Sequence, residues 1–463
     1  MTAIYHDNHV TLYNADCRDM KELSDNSIHC VVTSPPYWGL RKYDGLPDSV
    51  WGDYNHHEHQ WEDKHPQGYR KSDTNKGVLQ SKGTDNRQNL VSSTCSICGA
   101  WKGQFGLEPT IEMYVEHTVE ILREIKRVLR SDGVCFWNIG DSYAGGGNNR
   151  GNNSPLSSMQ SSNKGATGQC AEHQKNVIRS KRMPRGTGRW GGGNIRALKP
   201  KDLCLIPFHV ALAAQADGWW VRSAIVWNKP NPMPESVTDR PTDAYEYIFM
   251  FTKSAKYYWD SYACMEKADY DGRKDTFMKP SGKYQESDFM PYAADSMHVN
   301  GYERWPNQIN GVPVRNMRNV WTFPPQPFVG AHFATFPEEL PERCIKAATS
   351  EFGVCSQCGK PYARQIEKTG FLNNREPAHC YGNTPTKVDS TGWKPSTRPT
   401  DLWRPRCECN ADVVPATVLD PFGGSGTTGW VAKRLNRKCI MYEGSQKYCN
   451  LITQRNQQQA IGV

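Results

Sequence analysis

The sequence has no apolar run of about 18 residues, so no membrane-spanning helix is expected. Met1 to Asp16 lacks the basic-then-apolar layout of a secretory signal. No Gly-Lys-Ser/Thr ending marks a phosphate-cradling loop, and no helix-turn-helix is recognisable. No internal repeat appears beyond two Cys-x2-Cys pairs. Apolar residues make up only 37%, against 39 Gly and 30 Pro, so long polar loops or insertions are expected. What is plentiful is cysteine, at sixteen. Without an export signal, and with several cysteines in close pairs, metal-bound thiolates in a reduced cytoplasm are expected rather than disulfides. The 463 residues would hold roughly three average domains. A formal net charge of +8 permits a polyanionic partner without demanding one.

Along the chain, strands and helices alternate, which predicts an α/β fold with a doubly wound sheet and inserts. Strands are expected at His9–Tyr13 and Ile28–Thr33, with a short helical piece at Arg18–Leu23 between them. Ile111, Val115, Leu122, Ile125 and Leu129 fall at helical spacing after Thr110, and Ser131-Asp132-Gly133 is read as the stop. Further strands are expected at Val134–Ile139, Trp219–Trp227 and Tyr245–Phe251, with Lys256–Trp259 as a hairpin partner. Helices are expected at Lys201–Ala216 and Pro337–Ala348. The chain closes with strand Ala416–Leu419, helix Thr428–Leu435, strand Lys438–Tyr442 and a last helix to about Gln457.

Two stretches carry chemistry. Val31-Val32-Thr33-Ser34-Pro35-Pro36-Tyr37-Trp38-Gly39 is a buried-strand signal running into a rigid, aromatic-tipped turn. The carboxyl ends of strands are where ligands bind in open α/β sheets. Asp420-Pro421-Phe422-Gly423-Gly424-Ser425-Gly426-Thr427-Thr428 follows a strand and opens a helix, whose free N–H groups and glycines suit close approach of a ligand. Glu443 ends the next strand, where an acid would meet ribose hydroxyls.

Together the Thr-Ser-Pro-Pro-Tyr-Trp turn and the Asp-Pro-Phe-Gly-Gly-Ser-Gly-Thr-Thr loop resemble the amino-group DNA methyltransferases. The order, catalytic turn first and cofactor loop last, resembles the beta class, a circular permutation of a Rossmann-like methyltransferase sheet. The resemblance implies S-adenosylmethionine as cofactor, double-stranded DNA as partner, no membrane, and a cognate restriction endonuclease as the associated activity. It gives Asp420, Phe422, Gly424, Gly426, Thr427 and Glu443 to the cofactor, adds Asp16 near the adenine, and adds Phe336 in the closing segment His332–Pro337. It gives Ser34, Pro35, Pro36 and Tyr37 to the reacting amine. The Ser34 hydroxyl and Pro35 carbonyl would accept hydrogen bonds from the exocyclic amine of a flipped base, and Tyr37 would stack on it. Members with Asp at this position are mostly adenine-N6 enzymes and those with Ser often cytosine-N4 enzymes, so cytosine N4 is favoured and adenine N6 is the alternative. No Pro-Cys dipeptide is present to supply the nucleophile of carbon-5 methylation. An RNA or protein amine methyltransferase, or a non-catalytic zinc-containing DNA-binding protein, are the other readings.

Two structural zinc sites are expected, a metal staple for inserts poor in core. One joins Cys355, Cys358, Cys407 and Cys409, with His379 and Cys380 as rivals. The other joins Cys95 and Cys98 to His57 and His59, with His56 as a rival. Cys17, Cys30, Cys135, Cys204 and Cys439 are read as core. Arg179, Lys181, Arg182, Arg185 and Arg189 are candidate phosphate contacts, and Arg273, Lys274, Arg304, Arg315 and Arg318 candidate target-recognition residues. The expected layout is 1–40 catalytic start, 41–108 polar zinc insert, 109–260 core with flexible loop 145–195, 261–325 target recognition, 326–351 cofactor closure, 352–412 zinc-knuckle insert and 413–463 cofactor half.

Overall fold

The computed structural model describes residues 2–39, 43, 45–52, 57–64, 92–144, 198–199, 201–267, 307–309, 312–326, 335–368 and 397–457. Outside them lie the whole loop 145–195 with the basic residues Arg179 to Arg189, then Arg273, Lys274 and Arg304, and His56, His332, Phe333, Ala334, His379 and Cys380.

A nine-stranded sheet forms the centre. Its strands are β1 (Tyr5–His6), β2 (Val10–Tyr13), β3 (Ile28–Thr33), β4 (Leu129–Ile139), β5 (Trp220–Asn228), β6 (Tyr245–Thr252), β7 (Val320–Thr322), β8 (Thr417–Asp420) and β9 (Lys438–Tyr442). Their spatial order is β1-β2-β9-β8-β3-β4-β6-β5-β7. From β2 through β4 every pairing is parallel. Strand β6 runs against both its neighbours, and β7 is parallel to β5. All six residues of β3 are buried, as a central parallel strand requires. The cysteines read as core, Cys17, Cys30, Cys135, Cys204 and Cys439, are all buried.

The helices are α1 (Ile111–Val128), α2 (Ile206–Ala216), α3 (Glu339–Ala348), α4 (Thr427–Arg434) and α5 (Gln446–Gln457). Thr110 caps α1, its hydroxyl accepting the Met113 N–H at 3.2 Å. The helix ends before Ser131: Leu129 turns extended and feeds β4 directly, without a loop. Helix α2 starts at Ile206 rather than Lys201, because the preceding residues pair with 142–144 and Leu205 takes a left-handed backbone, φ +56°. Arg18–Leu23 is turns rather than a helix. The Met20 and Leu23 carbonyls accept from the Arg127 guanidinium, and the Met20 N–H donates to Glu124, so α1 takes the groups a local helix would use. Lys256–Trp259 forms no strand; the Tyr258 N–H donates to the Asp132 carbonyl instead.

The polar stretch 41–108 holds a four-stranded sheet with Trp101–Gly103 between Ser49–Trp51 and Ser92–Cys95, and Trp61–Lys64 at the edge. Trp51, Trp101 and Phe105 from this stretch are buried in the main core, so it is not a mere excursion. The chain divides into two compact units, the second made of Asp260–Arg318 and Val354–Asp412. Within that unit Arg364 lies over the Trp403 ring, 4.3 Å from its centroid. Arg315 and Arg318 there both pair with Glu266.

Candidate active site

The proline-rich turn leaves the carboxyl end of β3 and is held from three sides. The Trp38 indole N–H donates to the Glu108 carbonyl at 2.9 Å, so this ring is buried wall. The Tyr114 hydroxyl donates to the Pro36 carbonyl at 3.0 Å, and the Gly39 N–H to the Gly106 carbonyl at 2.8 Å. A Cβ on Gly106 would sit 3.0 Å from Pro36 Cβ, and φ there is +92°, so both space and backbone demand glycine.

Ser34 is half-buried and its hydroxyl donates to Tyr37 Oη at 3.1 Å. Tyr37 Oη donates to Glu246 Oε2 at 2.7 Å. The Asn138 amide donates to Tyr37 Oη at 2.8 Å and Glu246 Oε2 at 3.0 Å, and Lys229 forms an ion pair with the same carboxylate. Burial, reinforced by Glu246, pushes the Tyr37 phenol well above its usual range. Asn138 Oδ1 is buried with no hydrogen-bond partner among the described residues.

The Gly-rich loop leaves β8, the strand next to β3. Asp420 is buried and both its oxygens accept within the fold. Thr33 Oγ1 donates to Oδ1 at 2.7 Å, Thr428 Oγ1 to Oδ2 at 2.7 Å, and the Phe422 N–H to Oδ1 at 3.1 Å. Burial outweighs these bonds and pushes the Asp420 carboxyl up to about 6. Thr33 and Asp420 are 387 positions apart, so this bond ties the two ends of the chain together beside Ser34. Gly424 and Gly426 have φ +53° and +74°, the left-handed region. A Cβ at Gly424 would meet only the Phe422 carbonyl, at 3.7 Å, which leaves an open cradle at the head of α4. Thr427 turns inward, accepting from Arg455 at 2.9 Å. Phe422 stacks on Phe105, 5.8 Å between centroids.

Glu443 closes β9 and accepts the Gly424 N–H at 2.9 Å and the Ser445 N–H at 2.8 Å. Burial pushes its carboxyl up to about 7. Strand β2 pairs with β9 in parallel. Asp16 stands at that edge, but Arg18 and Ser49 hold its carboxylate. Phe336 is half-buried just before α3.

Both cysteine clusters assemble. In each, the four ligand atoms lie within 4.8 Å of one another: His57, His59, Cys95 and Cys98 in one, and Cys355, Cys358, Cys407 and Cys409 in the other. Cys95 Sγ is 3.5 Å from His57 Nε2, and Cys98 Sγ is 3.7 Å from His59 Nδ1. Gly99 and Gly359 close the two knuckles at φ +80° and +68°, each N–H returning to the carbonyl of the first cysteine.

Sequence reasoning missed Asn138 and Glu246. Each is one polar letter near the end of an apolar or aromatic strand, Cys-Phe-Trp-Asn-Ile and Tyr-Glu-Tyr-Ile-Phe, and that isolation was the available signal. It also missed Glu108, whose buried carboxyl meets His117 Nδ1 at 3.0 Å and whose backbone carbonyl holds Trp38.

A large, mostly parallel sheet whose carboxyl edge joins a Gly-rich nucleoside loop to a Ser-Pro-Pro-Tyr turn defines an S-adenosylmethionine-dependent amino methyltransferase of DNA. The DNA methylase family of N6 and N4 enzymes matches residues 28–356 and 398–454, and the chain belongs to that family. The Type II methyltransferase M.XycI of Xanthomonas campestris pv. cyanopsidis is 30% identical over 454 residues, covering 98% of this chain and 89% of that protein. The Type II methyltransferase M.Cfr9I of Citrobacter freundii is 29% identical over 457 residues, covering 98% and 90%. Among solved structures, the PvuII DNA methyltransferase (cytosine-N4-specific) aligns over 99% of this chain and 90% of its own, at 13% identity and a TM-score of 0.44. Among the described residues, no helix is long and apolar enough to cross a membrane.

Proposed function

We propose that the chain is a site-specific, type II DNA methyltransferase acting on the exocyclic amine of a flipped base, cytosine N4 favoured and adenine N6 the alternative. The observation that carries this reading is the Thr33–Asp420 hydrogen bond, which fastens the Ser34 turn to the Gly-rich loop. S-adenosylmethionine supplies a methyl group on a positively charged sulfur. Asp420 shapes its loop, Gly424, Gly426 and Thr427 keep backbone close, and Phe422 and Phe336 offer apolar walls. Glu443 accepts ribose hydroxyls, and Asp16 borders the adenine while paired with Arg18. Ser34 Oγ and the Pro35 carbonyl orient the amine, Pro36 stiffens the turn, and the Tyr37 ring stacks on the base. Positioning and electrostatics then do most of the catalysis. Cytosine N4 is favoured because Ser34 is neutral.

Both cysteine clusters hold structural zinc. The edge of a tetrahedron with Zn–S bonds of 2.3 Å is about 3.8 Å, which suits the observed spacings. The order of motifs makes the sheet a circular permutation, with the cofactor half at 413–463 and target recognition at 261–325. A restriction endonuclease would be its functional partner. The test is expression in a host free of DNA methylation, followed by nucleoside mass spectrometry of the host DNA. N4-methylcytosine is expected; N6-methyladenine would move the target to adenine, and no methylated amine in DNA would reject the reading.

A further inference from the structure

The Ser34–Tyr37–Glu246 chain has a fixed direction. A carboxylate only accepts, so the single Tyr37 proton goes to Glu246 Oε2 at 2.7 Å. The Tyr37 oxygen then receives the Ser34 hydroxyl at 3.1 Å and the Asn138 amide at 2.8 Å. Ser34 therefore spends its proton on Tyr37 and, beyond a long 3.5 Å contact from the Asn138 amide, keeps a lone pair for a donor outside the chain. Lys229 holds the far oxygen of Glu246, so the carboxylate cannot swing away from Tyr37. Hydroxyls in such a series polarise one another, each becoming a better acceptor because it donates onward.

We propose that Glu246 is a positioning residue for methyl transfer, acting through Tyr37 and Ser34 as the terminal proton acceptor of the target amine. The proposal rests on the reading of Ser34 as the group that meets that amine. It accounts for a neutral serine at this turn: the negative charge sits two hydroxyls away rather than on residue 34. In the step, the amine nitrogen forms its bond to the methyl carbon, and the methyl–sulfur bond breaks with its electron pair left on sulfur. The surplus N–H proton passes to Ser34 Oγ, the Ser34 proton to Tyr37 Oη, and the Tyr37 proton to Glu246, which ends as a neutral acid. The Glu246 side chain is 17% exposed, so water can take that proton before the next turnover. Tyr37 must stay a proton-bearing phenol to serve as the link, and burial keeps it so.

The test uses the full chain with Glu246→Gln, Tyr37→Phe and Ser34→Ala. The substrates are labelled S-adenosylmethionine and unmethylated genomic DNA from a methylation-free host. Glu246→Gln retains an oxygen that can accept from Tyr37, so a purely structural carboxylate would leave the rate near that of the wild type. We expect Glu246→Gln and Tyr37→Phe each to lower the single-turnover rate about 100-fold while S-adenosylmethionine affinity is kept. The wild-type rate should fall along a bowed curve as heavy water replaces light, because several protons move together; the two variants should give a straight line. Wild-type rates and a bowed curve in both variants, with Ser34→Ala inactive, would overturn the relay alone. An active Ser34→Ala would remove the amine-acceptor reading beneath it.

Discussion

At the residue scale, neutral groups of the turn are held by half-buried charged ones. Ser34, Pro35, Pro36 and Tyr37 were legible as a motif, since two prolines and an aromatic impose local backbone rules. Asn138, Glu246 and Lys229 were not, because their meaning lies in what β4, β6 and the end of β5 bring opposite Tyr37. Asp16 is the reverse case: the resemblance put it near the adenine, but its salt bridge to Arg18 was not legible. Gly140 gives a prediction at this scale. A Cβ there would lie 2.9 Å from Tyr37 Cε2 and 3.0 Å from Cδ2, and the ring cannot yield freely because its hydroxyl is tethered. Gly140→Ala should lower methyl transfer roughly 10- to 100-fold by displacing the ring, with S-adenosylmethionine affinity unchanged. Single-turnover kinetics and calorimetry check this, and an unimpaired rate would show that the placement of Tyr37 is not limiting.

At the element scale, the segment Gln104–Glu108 buttresses the turn, and α1 carries its partner His117. Burial pushes Glu108 from 4.5 up to about 8 and His117 from 6.5 down to about 3. At neutral pH the pair is therefore an uncharged acid beside an uncharged ring, stacked on Trp51 at 4.5 Å and Trp101 at 5.6 Å between centroids. The sign follows from proton linkage. Glu108 contributes stability that is complete below 4.5 and is lost as pH rises through about 8. His117 contributes stability that is complete above 6.5 and is lost as pH falls towards about 3. Between pH 6.5 and 8 Glu108 is the member of this pair that acts, so stability falls there, and up to about 7 Glu443 adds to the same fall. Glu108→Gln should flatten that fall, read as the slope of unfolding free energy against pH from denaturant titrations; an unchanged slope would assign it to other groups. Helix α1 was legible from its Thr110 cap and apolar spacing. The missing helix at Arg18–Leu23 was not, because Arg127 and Glu124 compete for its backbone from α1.

At the scale of the whole molecule, two four-ligand clusters each gather segments far apart in the chain. The His57/Cys95 cluster borders strands that lead into Trp101 and Gly106, so loss of a metal bound there should loosen the support of the Ser-Pro-Pro-Tyr turn as well as the insert. About two zinc ions per chain are expected, one for each four-ligand site. Strong chelators should lower both the melting temperature and the methyl-transfer rate. Elemental analysis without zinc would refute both sites, and a chelated protein with full activity would uncouple the metal from the turn. By itself, the sequence determined the class of fold, the two motifs, the knuckles and the core cysteines, because glycine, proline and closely spaced thiols constrain the chain locally. The tertiary structure decided which distant groups complete them. Parallel pairing of β3 with β8 brings Thr33 to Asp420, and antiparallel pairing of β4 with β6 brings Asn138 to Glu246. Strand order sets those meetings, and a hydrogen bond between residues far apart in the chain leaves no local pattern to read.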